Sequence, residues 1–345
     1  MEKELWKYLK TADKPILLYG MGNGADKIIN VLESYNIEFS GVFASDGFVR
    51  DKYFHGKKLI SYSEAKEKFG DMIVLLCFGS AREDVRQNVL KIADEQELYA
   101  PEVPVVGGGL FCEEYYLKNK QKFDMVYERL ADDLSKKTYE NMINYKLSGK
   151  IEYLLQCETD ENEPFDNFLK LSSNESFLDL GAYTGDTVED FVKRAGDYNR
   201  IIAVEPDFKN FKKLSENTKD LKNITLYNAG ITDVCKRDSF AMLGGRNSAA
   251  ANGKTEIDFL NVDKICESEA VTYIKMDVEG EEKNVINGAR NTILRDKPKM
   301  LVSAYHRTED LIALPKAVLN IRDDYKIYIR HFRSLPAWDT NFYFV

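Results

Sequence analysis

Residues 177–186 read Phe-Leu-Asp-Leu-Gly-Ala-Tyr-Thr-Gly-Asp, and twenty residues beyond Gly185 the run Ile201-Ile-Ala-Val ends in Glu205-Pro-Asp. A short apolar run enters a glycine-bearing turn. A second apolar run, one βαβ unit later, ends in a carboxylate. Such a unit places a nucleoside at the carboxyl ends of two neighbouring parallel strands, with the acid reaching the ribose hydroxyls. A dinucleotide fingerprint would be G-x-G-x-x-G. The spacing here is Asp179-x-Gly181-x-x-x-Gly185, which suits a mononucleoside cofactor such as S-adenosylmethionine better than a pyrophosphate. Gly181 and Gly185 let the backbone approach a ligand, and the helix start that follows offers free N–H groups. A plain tight turn is the alternative reading of the glycines, and a solvated strand-end acid that of Glu205.

Around this unit the chain alternates short apolar runs with helix-patterned stretches. From residue 176 onward seven strands are expected, centred on Phe177–Leu180, Ile201–Val204, Ile224–Tyr227, Val271–Met276, Met300–Ala304, Lys326–Arg330 and Asn341–Val345. The last two leave no room for a crossover helix, so they are expected to close the sheet as an antiparallel hairpin. Five parallel strands followed by an antiparallel pair is the layout of class I methyltransferases. Upstream, Pro15-Ile-Leu-Leu-Tyr-Gly20, Glu38–Ala44 and Met72–Gly79 predict a second α/β unit. The expected fold class is thus α/β, with two Rossmann-like domains: 1–112, a helical connector and linker over 113–170, and 171–345. Pro101–Gly109 marks the end of the first domain, and the acidic stretch Glu158–Pro164 is the linker candidate.

Five further constellations bear on chemistry. Asn228-Ala229-Gly230 follows the third strand, where small residues would leave room for an adenine ring; an ordinary loop is as good a reading. In Ile274-Lys-Met-Asp277-Val-Glu279-Gly280, two carboxylates at i and i+2 share one side of an extended chain at the functional rim of the sheet. Asp277 is a candidate for holding the amino-acid end of the cofactor or the substrate hydroxyl, as is Glu279. Glu279, Glu281 and Glu282 also fit helix N-terminal acids favoured by the macrodipole. His306 closes the next strand and, titrating near neutrality, is a candidate general base. Gly244–Gly253 has the composition of a lid or substrate loop, with Arg246, Asn247 and Ser248 as contacts. In the first domain Gly20-x-Gly22-x-x-Ala25, with Asp46 beyond it, formally fits a dinucleotide turn. With no catalytic constellation beside it, it is taken as accessory.

Composition narrows the function classes. The 345 residues are 44% hydrophobic, enough for two full cores, and carry a net charge of −9 with a pI near 5.2. That argues against a nucleic-acid surface. Five scattered cysteines without C-x-x-C spacing and three histidines argue against a zinc site. The sequence demands no metal, while Asp277 and Glu279 leave one open. The opening Met-Glu-Lys-Glu-Leu-Trp lacks a signal-peptide order, and no apolar run approaches the ~20 residues that span a bilayer. A cytoplasmic protein without direct membrane insertion is expected. Its partner is a small-molecule or glycan acceptor, and a homodimer stays open.

Residues 176–345 resemble the FkbM family of S-adenosylmethionine-dependent methyltransferases. The carriers are the 177–186 turn, Val204-Glu-Pro-Asp-Phe-Lys-Asn-Phe211, Asn223-Ile-Thr-Leu-Tyr-Asn-Ala-Gly230, Trp338-Asp-Thr-Asn-Phe-Tyr343 and, above all, Ile274-Lys-Met-Asp-Val-Glu-Gly-Glu-Glu-Lys-Asn-Val-Ile-Asn-Gly-Ala289. Two positions depart from the family pattern: Tyr183 stands where Asn is usual, and Gly230 where Ala is common. The resemblance implies O-methylation of sugars or secondary metabolites, with the cofactor held by the Gly181–Gly185 turn and Glu205. The full set of candidate cofactor contacts is Asp179, Gly181, Ala182, Tyr183, Thr184, Gly185, Asp186, Thr187, Glu205, Pro206, Ala229, Gly230, Asp277 and Glu279. Asp277 and His306 are the candidates for catalysis. The rival readings are a nicotinamide- or nucleotide-sugar-linked oxidoreductase using the first domain, and a non-catalytic nucleotide-sugar-binding module.

Overall fold

The computed structural model describes residues 2–240 and 255–345. The N-terminal sheet contains β1 (Ile16–Tyr19), β2 (Gly41–Ala44), β3 (Tyr53–Phe54), β4 (Lys57–Ser61), β5 (Ile73–Leu76) and β6 (Glu97–Tyr99), in the order β3-β4-β2-β1-β5-β6. It is parallel except for the short β3–β4 hairpin. β1 and β5 are buried at every position, as continuous apolar runs must be when helices cover both faces. The helix Asn23–Ser34 shows why: Ala25, Ile28, Ile29 and Leu32 recur at helical spacing, and all four are buried.

The C-terminal half forms β7 (Ser176–Leu180), β8 (Arg200–Val204), β9 (Ile224–Tyr227), β10 (Gly230–Ile231), β11 (Lys236–Phe240), β12 (Thr255–Leu260), β13 (Tyr273–Met276), β14 (Lys299–Ser303), β15 (Ile327–His331) and β16 (Thr340–Phe344). Seven of these strands make one sheet in the order β15-β16-β14-β13-β7-β8-β9. The expected terminal hairpin is present. β16 inserts between β14 and β15 and runs antiparallel to both. A small sheet, β10-β12-β11, was not foreseen, because β11 reads Lys-Arg-Asp-Ser-Phe and carries no apolar run. Gly244–Gly253, with Arg246, Asn247 and Ser248, lies outside the described residues.

Residues 113–170 hold the two sheets together. Helices Glu113–Arg129 and Asp133–Ser148 carry the connector. Arg330 of β15, only 1% exposed, meets Asp132 and Glu163 at 2.7 Å each. Glu158 accepts from Arg86 Nη2 at 2.9 Å, and Thr159 N–H donates to His331 O at 2.9 Å. Glu158–Pro164 is therefore strapped down rather than a free tether: its acids neutralise arginines that would otherwise be buried alone. One hydrophobic core runs from Leu17 to Phe344 through both halves. The carboxyl rims of the two sheets meet. Ser80 N–H donates to Leu335 O at 3.0 Å, and Val106 N–H donates to His306 O at 3.0 Å. Among the described residues no helix is long and apolar enough to cross a membrane.

Candidate active site

The turn after β7 is built on a contact that only glycine permits. Gly181 has φ +84°, and a Cβ there would lie 1.9 Å from the Asp277 carbonyl oxygen. The β7 turn and the β13 end are thus in direct backbone contact. Gly181 and Ala182 N–H groups both donate to Val204 O at 3.0 Å. Tyr183 takes φ +47°, with its ring 56% exposed. Gly185 precedes the helix Asp186–Ala195 with no side-chain cap. Asp186 is exposed, and Thr184 O accepts from Asn217 Nδ2 at 2.8 Å.

Glu205, 6% exposed, closes this turn. Its Oε2 accepts from Tyr183 N–H at 2.9 Å and its Oε1 from Asp207 N–H at 2.8 Å. Each oxygen keeps a lone pair for a further donor, which fits vicinal ribose hydroxyls. Burial pushes the carboxyl up to about 7, against the pull of those two backbone bonds. Asn228 Nδ2 pins the strand end by donating to Glu205 O at 2.9 Å and to Pro206 O at 3.2 Å.

Two other expected contacts face inward. Asp179 is fully buried, accepts from the Thr187 hydroxyl and stands 3.5 Å from Lys275 Nζ. Lys275 in turn donates to Gly181 O at 3.0 Å. Burial pushes the Asp179 carboxyl up, opposed by Lys275. Asp179 and Thr187 therefore support the turn from behind. Ala229 and Gly230 are also buried, and a Cβ on Gly230 would meet the Phe259 ring at 2.4 Å. Gly230 thus packs directly against the Phe259 ring of β12.

Asp277, Tyr305 and His306 come together at the ends of β13 and β14. Tyr305 OH donates to Asp277 Oδ1 at 3.1 Å. His306, 1% exposed, has Nε2 at 3.6 Å from both Asp277 Oδ1 and Glu279 Oε2, and Nδ1 at 3.0 Å from Glu282 Oε1. Burial alone would favour the neutral ring. Glu282, Asp277 and Glu279 overcome it and push His306 up to about 9. The expectation of a histidine base near neutrality is corrected: an imidazolium has no lone pair with which to accept a proton. The two carboxylates facing the ring are open to solvent, Asp277 with its side chain one-third exposed and Glu279 with 60%. Asp277, Glu282 and His306 bring ligand-type atoms within 4.8 Å of one another.

Two contributors escaped the sequence. Glu282 is fully buried and acts on the site from inside; its place at a helix start was the only signal. The other is the irregular segment that leaves the first domain. Lys27 Nζ donates to Pro104 O at 3.2 Å and Val105 O at 2.5 Å, and Val106 then lies across His306 and Gly280.

Residues 179–326 match the family model described as Methyltransferase FkbM domain, and residues 12–98 match C2185-like, N-terminal. Residues 179–326 are thus similar to the FkbM methyltransferase domain. Among solved structures, Methyltransferase FkbM from Methylobacillus flagellatus KT superposes with a TM-score of 0.75 at 24% identity, covering 96% of this chain and 90% of that chain. The two-domain fold is therefore shared. Fibrillarin from Aeropyrum pernix with bound S-adenosyl-L-methionine (TM-score 0.34, 19% identity, 50% of this chain and 67% of that one) is too distant to carry an argument. So is precorrin-6y C5,15-methyltransferase from Geobacter metallireducens GS-15 (0.33, 12%, 51% and 81%). No curated protein matches the sequence. The glycine turn and the Asp277 rim meet at the contact between Gly181 and the Asp277 carbonyl.

Proposed function

We propose that this methyltransferase transfers the methyl group of S-adenosylmethionine to a hydroxyl of a sugar, a glycan precursor or a secondary metabolite. The observation that carries the reading is the contact of Gly181 with the Asp277 carbonyl. It sets a Glu205-closed nucleoside turn directly beside a partly exposed carboxylate. Bound there, S-adenosylmethionine would supply an electrophilic methyl on a sulfonium. Glu205 would hold the ribose hydroxyls, and the turn from Gly181 to Gly185 the rest of the nucleoside. Asp277 accepts the proton of the acceptor hydroxyl, and Tyr305, donating to Asp277 Oδ1, fixes the carboxylate's orientation. Alignment of the acceptor oxygen supplies most of the rate, because methyl transfer needs positioning more than covalent help. The acidic rim of Asp277 and Glu279 favours neutral polyhydroxyl acceptors over anionic ones.

Titration calorimetry with S-adenosylhomocysteine tests the cofactor, with micromolar binding expected. Binding of NADH in its place would overturn the reading. A panel of sugars, phenols and amines with methyl-labelled cofactor tests the acceptor, with label expected on oxygen.

A further inference from the structure

Glu282 is the charged residue nearest His306, yet it cannot touch an acceptor, because no part of its side chain reaches solvent. Its Oε1 accepts from Val278 N–H at 3.0 Å and Gly280 N–H at 3.3 Å. These bonds close the turn in which Glu279 is held at φ +54°, a conformation costly for a non-glycine residue unless the surroundings fix it. The same oxygen stands 3.0 Å from His306 Nδ1, while the opposite ring nitrogen faces Asp277 and Glu279. On the backbone side, His306 O accepts from Val106 N–H of the irregular segment that leaves the first domain.

We infer that Glu282 is a positioning residue of the methyl-transfer site: its buried carboxylate shapes the 277–280 turn and orients His306 so that the ring's outer N–H group holds Asp277 and Glu279 in place. This rests on the proposed role of Asp277, but the geometry of Glu282 does not. A buried carboxylate facing a buried imidazole favours the doubly protonated ring, since either charge left alone at that depth is costly. His306 accordingly stays charged to about 9. Other charged groups within electrostatic reach are Asp310, from the helix Asp310–Leu319, Lys27, beyond Glu279, Arg307, whose Nε donates to Gly280 O at 2.5 Å, and Lys275 and Asp339, which act on Asp277. Tyr305 is the remaining titratable neighbour, its ring 4.1 Å from that of His306.

The test uses the full chain and needs no acceptor. The protein has three histidines, so ring 1H–15N signals can be followed across pH and assigned with His306→Gln. In Glu282→Gln the amide oxygen still accepts from Val278 and Gly280, but the charge is gone. The expected result is a His306 midpoint at least one pH unit lower, a tenfold loss of proton affinity, with S-adenosylhomocysteine binding changed less than threefold. An unmoved midpoint in a folded variant overturns the inference. Should Glu282→Gln fail to fold, Asp277→Asn and Glu279→Gln decide it. Together they should lower the midpoint by less than one unit if Glu282 is the main partner, and a larger fall overturns it. Loss of homologue binding in the wild-type protein would instead sink the cofactor reading and leave this result standing.

Discussion

The chain contains two glycine turns that follow a first parallel strand, and they have opposite fates. After β1, Gly20 and Gly22 lead into a helix, with Asp46 just beyond β2. After β7, Gly181 and Gly185 do the same, with Glu205 just beyond β8. In the first half Asp46 turns away from the glycines: it accepts from Ser63 N–H at 3.1 Å and the Ser63 hydroxyl at 2.6 Å. In the second half Glu205 accepts from Tyr183 N–H inside the glycine turn itself. Of the two acids, only Glu205 points its carboxylate at its own glycine turn.

The largest effect is expected from the glycines. At Gly181 a methyl group meets a backbone carbonyl that cannot swing away, with φ at +84°. Gly181→Ala should destabilise by about 4 kcal/mol. At Gly20 the clash is with the Phe78 ring, 2.5 Å from the built Cβ and at φ +105°. A side chain can shift, so Gly20→Ala should lose about 1–2 kcal/mol. Urea unfolding of both variants measures the pair, and equal losses would mean that the two turns are equally rigid.

Next comes the acid. Glu205→Ala removes a charged acceptor for two ribose hydroxyls and should weaken S-adenosylhomocysteine binding by about 100-fold, since hydrogen bonds to charged groups contribute about 1.5–3 kcal/mol each. Retention of wild-type affinity, measured by calorimetry, would separate Glu205 from the cofactor.

The pH dependence of the same carboxyl is a smaller and more specific effect. Its folded value of about 7 lies above the ordinary 4.5, so the free protein holds this proton more tightly than the unfolded chain does. The stability it contributes is fully present below 4.5 and is lost as pH rises through 7. At 1.36 kcal/mol per unit the loss is about 3 kcal/mol. Ligand binding runs the other way, because ribose hydroxyls donate best to the ionised carboxylate. Homologue affinity should rise about fivefold from pH 6 to pH 7 and about twofold more by pH 8, levelling off above. Thermal melts and calorimetry at the same pH values check both signs, and Glu205→Gln should flatten both curves.

What the sequence made legible follows from the physics of burial. β7, β8, β13 and β14 announced themselves because a strand covered on both faces is a continuous apolar run, and the terminal hairpin because no helix fits between its strands. The small sheet escaped because β11 is charged. Glu282 looked like any acid at a helix start, since sequence spacing does not separate a solvated carboxylate from one sealed against an imidazole. That concealment also led His306 to be expected near neutrality. Lys27 and Val106 lie far from residues 277–306 in the chain, and only the fold brings them to the rim.

The smallest expected effect is the sharpest test of the contrast. Asp46→Ala removes two hydrogen bonds at the first turn of the helix Tyr62–Phe69. That helix keeps its Ser61–Glu64 capping box, so the cost should be about 1 kcal/mol in urea unfolding. If the Gly20 turn is accessory, homologue affinity in this variant matches the wild type within twofold. Should Asp46→Ala weaken nucleotide binding as Glu205→Ala does, the first turn would be a second nucleoside site. Its acid would then leave Ser63 on binding, and where a carboxylate points in the free protein would no longer separate the two halves.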